Sequence, residues 1–392
     1  MKMNKLSIYF LALLAAGVML SSCKDDEGEK NQENFDTQIE ALALTLKWNN
    51  YLQAASEELY EDCVKLYAAW AGPTALSDEE MEIVGGSTFF ADLGHPNGYA
   101  ASVKNPETPE HSVEETLVQG SIDIAGEVGE QKIGGPNQLA KDGQTAQAVL
   151  EVESWYSFNS LDDYANNIVS IRNSYFGGRG ATTAQTASLS EFVHGKNAAL
   201  DAEIIAAING AYNAIKAMDA PFRSHLTGAK VDTAMDACGD LATIFEGQLI
   251  PFVQENADED AYTAILQKYA DEIVVATYED MKNEAKALRD AVRAFVATPS
   301  QNSLNAAADA WRATRIPWEQ SESFLFGPAD LLGLDPSLDS WPLDQRDIHT
   351  ILTDNKQSVA EIREEIGEES VRGFHTIELL LFKDGKPRVV KQ

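Results

Sequence analysis

A histidine and a glutamate near the carboxyl end of the chain have the spacing of a pair of metal ligands. His375 and Glu378 lie three residues apart in the segment 373–378, and the apolar run 379–382 follows. On a helix, residues at positions i and i+3 share a face, so both side chains would face one metal ion, as they do in di-iron bundles. The alternative is a purely structural hydrogen bond between the two side chains inside a helical bundle.

A second stretch places charged side chains among large aromatic ones. Trp311 begins a stripe with helical spacing that reaches Arg315, Glu319 and Glu322. Asp339, which also lies between apolar residues, gives the same signal. Buried charges are costly unless they pair with one another or bind a ligand. The three acids are therefore candidate further ligands for the metal, and a structural salt-bridge network is the alternative.

Apolar residues recur every three or four positions through most of the chain, which is typical of amphipathic helices. The longest such run extends from Leu266 to Phe295, which predicts a helix of roughly thirty residues. The alternation typical of strands is nearly absent. The glycine- and proline-rich stretches 85–109 and 126–143 are expected to separate helices. We therefore predict an all-α fold of two packed helical bundles.

An acidic run suggests where the two bundles meet in the sequence. Residues 255–260 read Glu-Asn-Ala-Asp-Glu-Asp and lie between two helical segments. A polar, charged run of this kind contributes little to a core. The predicted first bundle therefore covers residues 37–257, and the second covers residues 258–392 and carries His375.

The first residues have the layout of an exported lipoprotein. Two lysines precede the apolar run 6–20, which is too short to span a bilayer. The run ends in Leu-Ser-Ser-Cys, which resembles a lipobox, so residues 1–22 are predicted to be a signal peptide and Cys23 to be acylated. The alternative is an ordinary cleavage site beside a chance cysteine. Lipidation would anchor the protein to a membrane, and residues 23–36 would form a disordered tether.

Charge and cysteine content exclude several classes of function. The net charge of −32 would repel a phosphate backbone, so we expect no nucleic-acid partner, whereas cations are tolerated or attracted. Solubility alone would also explain this charge. Beyond Cys23 only Cys63 and Cys238 remain, so no cysteine-based metal spacing exists. One disulfide between them is possible by count, but Cys63 lies on an apolar stripe and is expected to be a buried free thiol.

Together these motifs resemble the imelysin-like family. The segment Gly373-x-His375-x-x-Glu378 matches the family's defining motif. The stretch from Trp311 to Gly327, with residues 338–343, is similar to its other signature. Residues 153–166 and 175–177 resemble a serine- and asparagine-bearing segment of the family. The resemblance extends over most of the chain from about residue 40 to 384.

The order of the segments differs from that of typical family members. In those proteins the segment similar to residues 269–382 comes first, and the segment similar to residues 40–225 follows. The chain therefore resembles a circularly permuted member of the family. Because the termini of compact domains often lie close together, such a permutation can preserve the fold.

The resemblance implies two four-helix-like bundles with the motif near their interface, and a role in bacterial iron uptake or homeostasis. We expect a lipoprotein of the outer membrane, facing the periplasm or the cell surface, that binds iron, zinc or an iron-related ligand in the cleft between the bundles. An outer-membrane uptake protein is a possible partner by this reading. His375 and Glu378 would contact the metal or ligand.

Other residues have supporting roles in this hypothesis. Arg315 would pair with Glu319 or hold an anionic ligand by its planar fork of donors. Ser157 and Ser321 would supply hydroxyls. The remaining predicted site-lining residues are Gly373, Glu322 and Asp339, together with Trp311 and Trp341 in the wall of the site.

Two alternatives belong to other classes of function. The family is grouped with metallopeptidases, so a metal-dependent peptidase with Glu378 as ligand or base is the first. Neither His-Glu-x-x-His nor His-x-x-Glu-His occurs in the chain, and those patterns supply the paired imidazoles of such enzymes. Mixed imidazole and carboxylate ligands suit iron, manganese or zinc, which favours binding over hydrolysis. The second alternative is a glycan-binding or structural surface lipoprotein.

Overall fold

The structure, a computed structural model, describes residues 35–367 and 369–390. Within these ranges the chain is helical apart from its loops and one short antiparallel hairpin. The predicted all-α fold is confirmed. The predicted signal peptide, Cys23 and nearly all of the predicted tether lie outside the described residues.

The helices are numerous and mostly short, and several longer ones are interrupted by a wide π turn. Residues 35–41 are also helical. The α-helices are Leu46–Ala71, Asp78–Ile83, Ser87–Asp92, Tyr99–Lys104, Pro109–Val113, Gly120–Glu127, Gly134–Lys141, Thr145–Leu150, Ser160–Phe176, Leu189–Lys196, Ala198–Lys216, Ala229–Ile244, Ile250–Glu255, Glu259–Lys268, Ala276–Ala297, Gln301–Glu319, Pro328–Leu331, Leu334–Asp339, Gln345–Thr353, Val359–Glu365 and Gly373–Leu381. The π turns are Glu114–Gln119, Val128–Ile133, Phe245–Leu249 and Tyr269–Val275, the 3₁₀ turns are Pro73–Ala75, Phe222–Ser224, Glu322–Phe324 and Glu369–Val371, and the strands are Phe382–Lys383 and Lys386–Pro387.

The longest predicted helix is present and begins earlier than its apolar stripe. Glu259–Lys268, the π turn Tyr269–Val275 and Ala276–Ala297 follow one another without a break. The side chain of Asp258 accepts a hydrogen bond from the backbone N–H of Ala261 and caps the start. The acidic run at 255–260 thus contains the end of one helix and the cap of the next, because carboxylates favour helix amino termini.

The helix Leu46–Ala71 packs among helices from the other end of the chain. It lies along Ala276–Ala297 and also contacts Gly373–Leu381. Gln301–Glu319 packs on the same two carboxyl-terminal helices and on Ser160–Phe176. Helices distant in sequence therefore share one core here, and the predicted division at residues 257 and 258 stays a prediction.

The glycine-rich stretch 126–143 is helical up to Lys141, so the expectation that it separates helices was wrong for all but its last two residues. The helix Gly120–Glu127 continues through the π turn Val128–Ile133 into Gly134–Lys141. A Cβ placed on Gly129 would lie 3.0 Å from Cβ of Cys238 and 3.2 Å from the carbonyl oxygen of Met235. The glycine permits close packing against the neighbouring helix, and this packing outweighs its low helix propensity.

The two described cysteines are free thiols. Cys63 and Cys238 are both buried and are not joined to each other, as predicted for a free thiol at Cys63. Within the ranges that the structure describes, every helix is too short or too polar to cross a membrane.

Candidate functional site

The helix Gly373–Leu381 places a fully buried histidine between two carboxylates. Nδ1 of His375 lies 3.2 Å from Oε2 of Glu378, and Nε2 lies 3.1 Å from Oδ1 of Asp339. The second contact has ion-pair distance but not the angle of a good hydrogen bond. The predicted i, i+3 pair is therefore formed, and each ring nitrogen faces an acid.

Glu378 and Asp339 are each held by further donors. Oε1 of Glu378 accepts hydrogen bonds from both the backbone nitrogen and the hydroxyl of Ser157, each at 2.7 Å. Oδ2 of Asp339 accepts a hydrogen bond of 2.6 Å from the indole nitrogen of Trp318. The structure thus brings Asp339 to His375 and Ser157 to Glu378, although both are distant from the motif in the sequence.

A fully buried arginine joins the helix Gln301–Glu319 to this site. Arg315 forms ion pairs with Glu319, one turn along the same helix, and with Asp339. A third carboxylate, that of Asp163, lies 3.3 Å from Nη2. The predicted pairing of Arg315 with Glu319 is present, and the guanidinium bridges three acids.

A buried lysine lies among three more carboxylates. Nζ of Lys132 is 3.4 Å from Glu153, 3.5 Å from Glu322 and 3.7 Å from Glu127, and its side chain is 6% exposed. Lys132 belongs to the π turn Val128–Ile133. Such turns are rare and frequently occur at functional sites.

Three acids are close enough to share one metal ion. Ligand oxygens of Glu319, Glu322 and Asp339 lie within 4.8 Å of one another. Among the described residues, this is the group of three or more metal-ligating side chains whose ligand atoms lie so close together. It does not include His375. The amide nitrogen of Asn167 donates to Glu319, whereas its buried Oδ1 has no donor within the described part of the chain.

A cleft of about 750 Å³ leads to this group. Its lining includes Trp341 and, of the described basic residues, Lys132 alone. The acids that line it are Glu115, Asp123, Glu127, Glu153, Glu322, Asp330, Asp335 and Asp339. We call this surface the acidic cleft.

The same chain matches one protein family over most of its length. Residues 24–246 and 274–391 match the family model for imelysin. The chain belongs to the imelysin family. It is 37% identical to an imelysin peptidase of known crystal structure from Bacteroides ovatus, with a TM-score of 0.77 over 88% of this chain and 97% of that one.

A curated relative matches over a shorter region. Iron-regulated protein A of Synechococcus elongatus is 35% identical over 159 residues, which is 41% of this imelysin-family chain. The match spans 38% of that relative's length.

Burial dominates the electrostatics of this imelysin site. Burial raises the pKa of Glu319 to about 8, although Arg315 opposes the shift. Burial likewise raises the pKa of Glu322 well above its ordinary value, against the opposing effect of Lys132. These carboxylates are incompletely compensated, so a proton or another cation is favourable beside them.

The pKa values of His375 and Asp339 shift toward the charged forms, because each group stabilises the charge of the other. Burial would lower the pKa of His375, but the carboxylates of Asp339 and Glu378 outweigh it and raise the pKa to about 10. Burial would raise the pKa of Asp339, yet Arg315 and His375 hold it well below its usual range. The protonated ring carries a hydrogen on both nitrogens and therefore offers no lone pair to a metal.

The remaining predicted site residues of this imelysin have packing contacts. The indole nitrogen of Trp311 donates to the carbonyl of Phe374 at 3.0 Å, and the hydroxyl of Ser321 donates to the carbonyl of Trp318 at 2.6 Å. The ring of Trp341 packs edge-on to His375 with centroids 4.8 Å apart.

Sequence reasoning missed several members of the site. Asp163 lies within the segment 153–166 that resembles the family, and Asn167 directly follows it, but nothing in a helical pattern tells which helix faces which. Lys132 lies far from the motifs along the chain and carries no local signal. Glu153 also lies inside the segment 153–166, so this segment was the available signal for it.

Proposed function

We propose that this imelysin-family protein binds iron, or a chemically similar hard cation, at Glu319, Glu322 and Asp339. Glu322 and Asp339 line the acidic cleft, and Glu319 lies buried behind them. In this proposal it is a cell-envelope lipoprotein, anchored through Cys23 at the outer membrane, with a role in iron uptake or homeostasis. The name of its relative, Iron-regulated protein A, supports the connection with iron.

The observation that carries the proposal is an excess of buried negative charge. We define the buried charge network by the ion pairs above whose carboxylates are at most 13% exposed, which leaves out Glu127. Its bases are Lys132, Arg315 and His375. The acids of the network outnumber its bases. These acids are Glu153, Asp163, Glu319, Glu322, Asp339 and Glu378. An unpaired buried carboxylate is costly. A metal ion beside Glu319 and Glu322 would relieve this cost, as would protonation.

The donor types fit a hard cation. Carboxylate and carbonyl oxygens suit hard metal ions, and carboxylates also bind iron in helical bundles. The buried Oδ1 of Asn167, which lacks a donor, belongs to the same amide that contacts Glu319 and is a further oxygen of this kind. The spacing of the three carboxylates within 4.8 Å supports a single shared ion.

The charge of the cleft favours a cation over an anionic chelate. Its described lining is rich in carboxylates and offers one base, Lys132, whose ammonium already lies among three acids. An anionic ligand would meet repulsion along the whole path. A hydrated metal ion or a cationic complex would be attracted.

In this proposal His375 positions the carboxylates and does not ligate the ion. Its two nitrogens hold Asp339 and Glu378 in place, while Ser157 fixes the far oxygen of Glu378. This differs from the expectation that His375 and Glu378 would themselves be the ligands. The reason is that Nε2 of His375 faces the carboxylate of Asp339, a contact that the sequence did not reveal.

The geometry gives less support to a peptidase. A catalytic zinc site usually has imidazole ligands and an open position for water. The other histidines contact groups outside the buried network: His95 meets Ser102, His111 meets Glu115, His194 meets Asp201, His225 meets the carbonyl of Pro221, and His349 packs against Phe35.

The test is metal binding with proteolysis followed on the same samples. We would titrate the metal-free chain from Lys24 onward with Fe(II), without oxygen, and with Mn(II) by calorimetry. Glu319→Gln and Glu322→Gln are expected to weaken binding by about tenfold or more, equivalent to about 1.4 kcal/mol or more. The control Glu115→Gln removes the same charge from an exposed carboxylate of the cleft and should have a much smaller effect.

Two results would contradict the proposal. Binding that survives both substitutions would place the ion elsewhere. Metal-dependent cleavage of casein by the wild-type chain, lost on metal removal, would favour the peptidase alternative.

A further inference from the structure

Lys132 lines the acidic cleft beside Glu322, on the path of an entering cation. We infer that Lys132 is a built-in competitor: its ammonium occupies the side of Glu322 that an incoming cation needs, so cation binding displaces it. This inference rests on the proposed function, because it concerns the affinity and selectivity of the same carboxylates.

The contacts of Lys132 resemble those of a loosely bound ion. Its three carboxylate distances are 3.4, 3.5 and 3.7 Å, all longer than an ordinary charge-assisted hydrogen bond. By contrast, Lys104 lies 2.8 Å from Asp271 and Lys141 lies 2.9 Å from Asp232 on the surface. The ammonium of Lys132 therefore interacts with three carboxylates and forms a close ion pair with none of them.

The backbone around Lys132 is held by close packing, and displacement of its ammonium needs only rotation of the side chain. Gly129, in the same π turn, is pressed against the helix Ala229–Ile244 with almost no spare room. The lysine side chain has four flexible carbons. Glu127, its most exposed partner at 43%, lies on the outer side of this group. A displaced ammonium would keep Glu127 as a partner, so displacement requires no helix to move.

Competition of this kind also sets selectivity. A monovalent ion that replaces the ammonium has the same charge, so its attraction to Glu322 is no stronger than that of the ammonium. A divalent ion gains more from the same carboxylates, because Coulomb attraction scales with charge. Lys132 is thus expected to disfavour sodium and potassium while permitting divalent metal ions.

Mn(II) binding by matched lysine variants tests the inference. In Lys132→Met, affinity for Mn(II) should rise by about tenfold or more relative to wild type, because the competing charge is removed. Inhibition of that binding by potassium should also increase. Lys141→Met makes the same charge change at an exposed pair with Asp232 and should alter the affinity little. Lys132→Arg keeps the competing charge and should not tighten binding.

The outcomes separate this inference from the proposed function. Unchanged or weaker Mn(II) binding by Lys132→Met, with wild type binding normally, overturns the role of Lys132 alone. Absence of binding by both chains overturns the cation site as well. If Lys132→Met does not fold, the double variant Lys132→Met with Glu153→Gln removes one acid together with the base, and the same increase is expected from it.

Discussion

Gly373 lies so close to the carbonyl oxygen of Leu338 that no side chain fits between them. A Cβ on Gly373 would be 2.4 Å from that oxygen, and the residue has a φ of +80°. This contact brings the amino end of the helix Gly373–Leu381 onto the residue before Asp339. It therefore places His375 beside Asp339, which explains in steric terms why the motif begins with glycine.

Replacing this glycine should disrupt both stability and the site. Gly373→Ala is expected to lower the free energy of unfolding by about 2 kcal/mol or more, because alanine disfavours positive φ and its Cβ would clash. Urea denaturation measures the change. The control Gly126→Ala lies within a helix and has nothing within 4 Å of its Cβ, so it should be neutral or slightly stabilising. Equal effects of the two substitutions would contradict the steric account.

The buried guanidinium should be more important than any surface ion pair. Arg315→Met leaves Asp163, Glu319 and Asp339 without their shared cation and should cost about 3–5 kcal/mol of unfolding free energy. Arg179 pairs with Asp280 and is 31% exposed, so Arg179→Met should cost at most about 1 kcal/mol. Thermal and urea unfolding of both variants provide the comparison. A loss from Arg315→Met no greater than that from Arg179→Met would show that the network is compensated in another way.

Protonation of His375 should stabilise the metal-free protein. Its folded-state pKa is raised to about 10, above the value of about 6.5 in an unfolded chain. The stabilisation is therefore complete below about pH 6.5 and is lost as the pH rises through about 10. The difference in unfolding free energy between wild type and His375→Gln should shrink over this window. A difference that grows with pH would mean that the ring is neutral in the folded protein.

The predicted lipid anchor can be tested by replacing Cys23. Cys23→Ser should abolish incorporation of labelled palmitate and release the protein from the membrane fraction of expressing cells, because acyl chains provide the anchoring. Ser22→Ala changes a neighbouring residue without removing the thiol and should leave labelling intact. Labelling of the Cys23→Ser protein would show that lipidation occurs elsewhere or that the lipobox reading is wrong.

Local patterns predicted what is local in this molecule. The helical class, the long helix through residues 266–295, the i, i+3 pair His375–Glu378 and the i, i+4 pair Arg315–Glu319 all depend on spacing along one helix. The sequence also marked Asp339 as an acid in an apolar setting. It did not reveal that Asp339 meets His375, because that contact depends on how two segments pack.

What failed or stayed open depends on tertiary packing. The glycines of 126–143 read as helix breakers, yet Gly129 is used for close approach to another helix. Lys132 carries no sequence signal, since an isolated lysine is usually exposed. The circular permutation and the two-bundle division stay predictions, as does ligand binding by His375 and Glu378 themselves.

Locating a bound ion would test the proposed cation site most directly. Crystals of the chain from Lys24 onward, soaked in Mn(II), would be examined by anomalous scattering at the manganese edge. We predict a peak bonded to oxygens of Glu319, Glu322 and Asp339, with the ammonium of Lys132 turned toward Glu127. A peak bonded to His375 and Glu378, or no peak in the acidic cleft at saturating Mn(II), would contradict the proposed site.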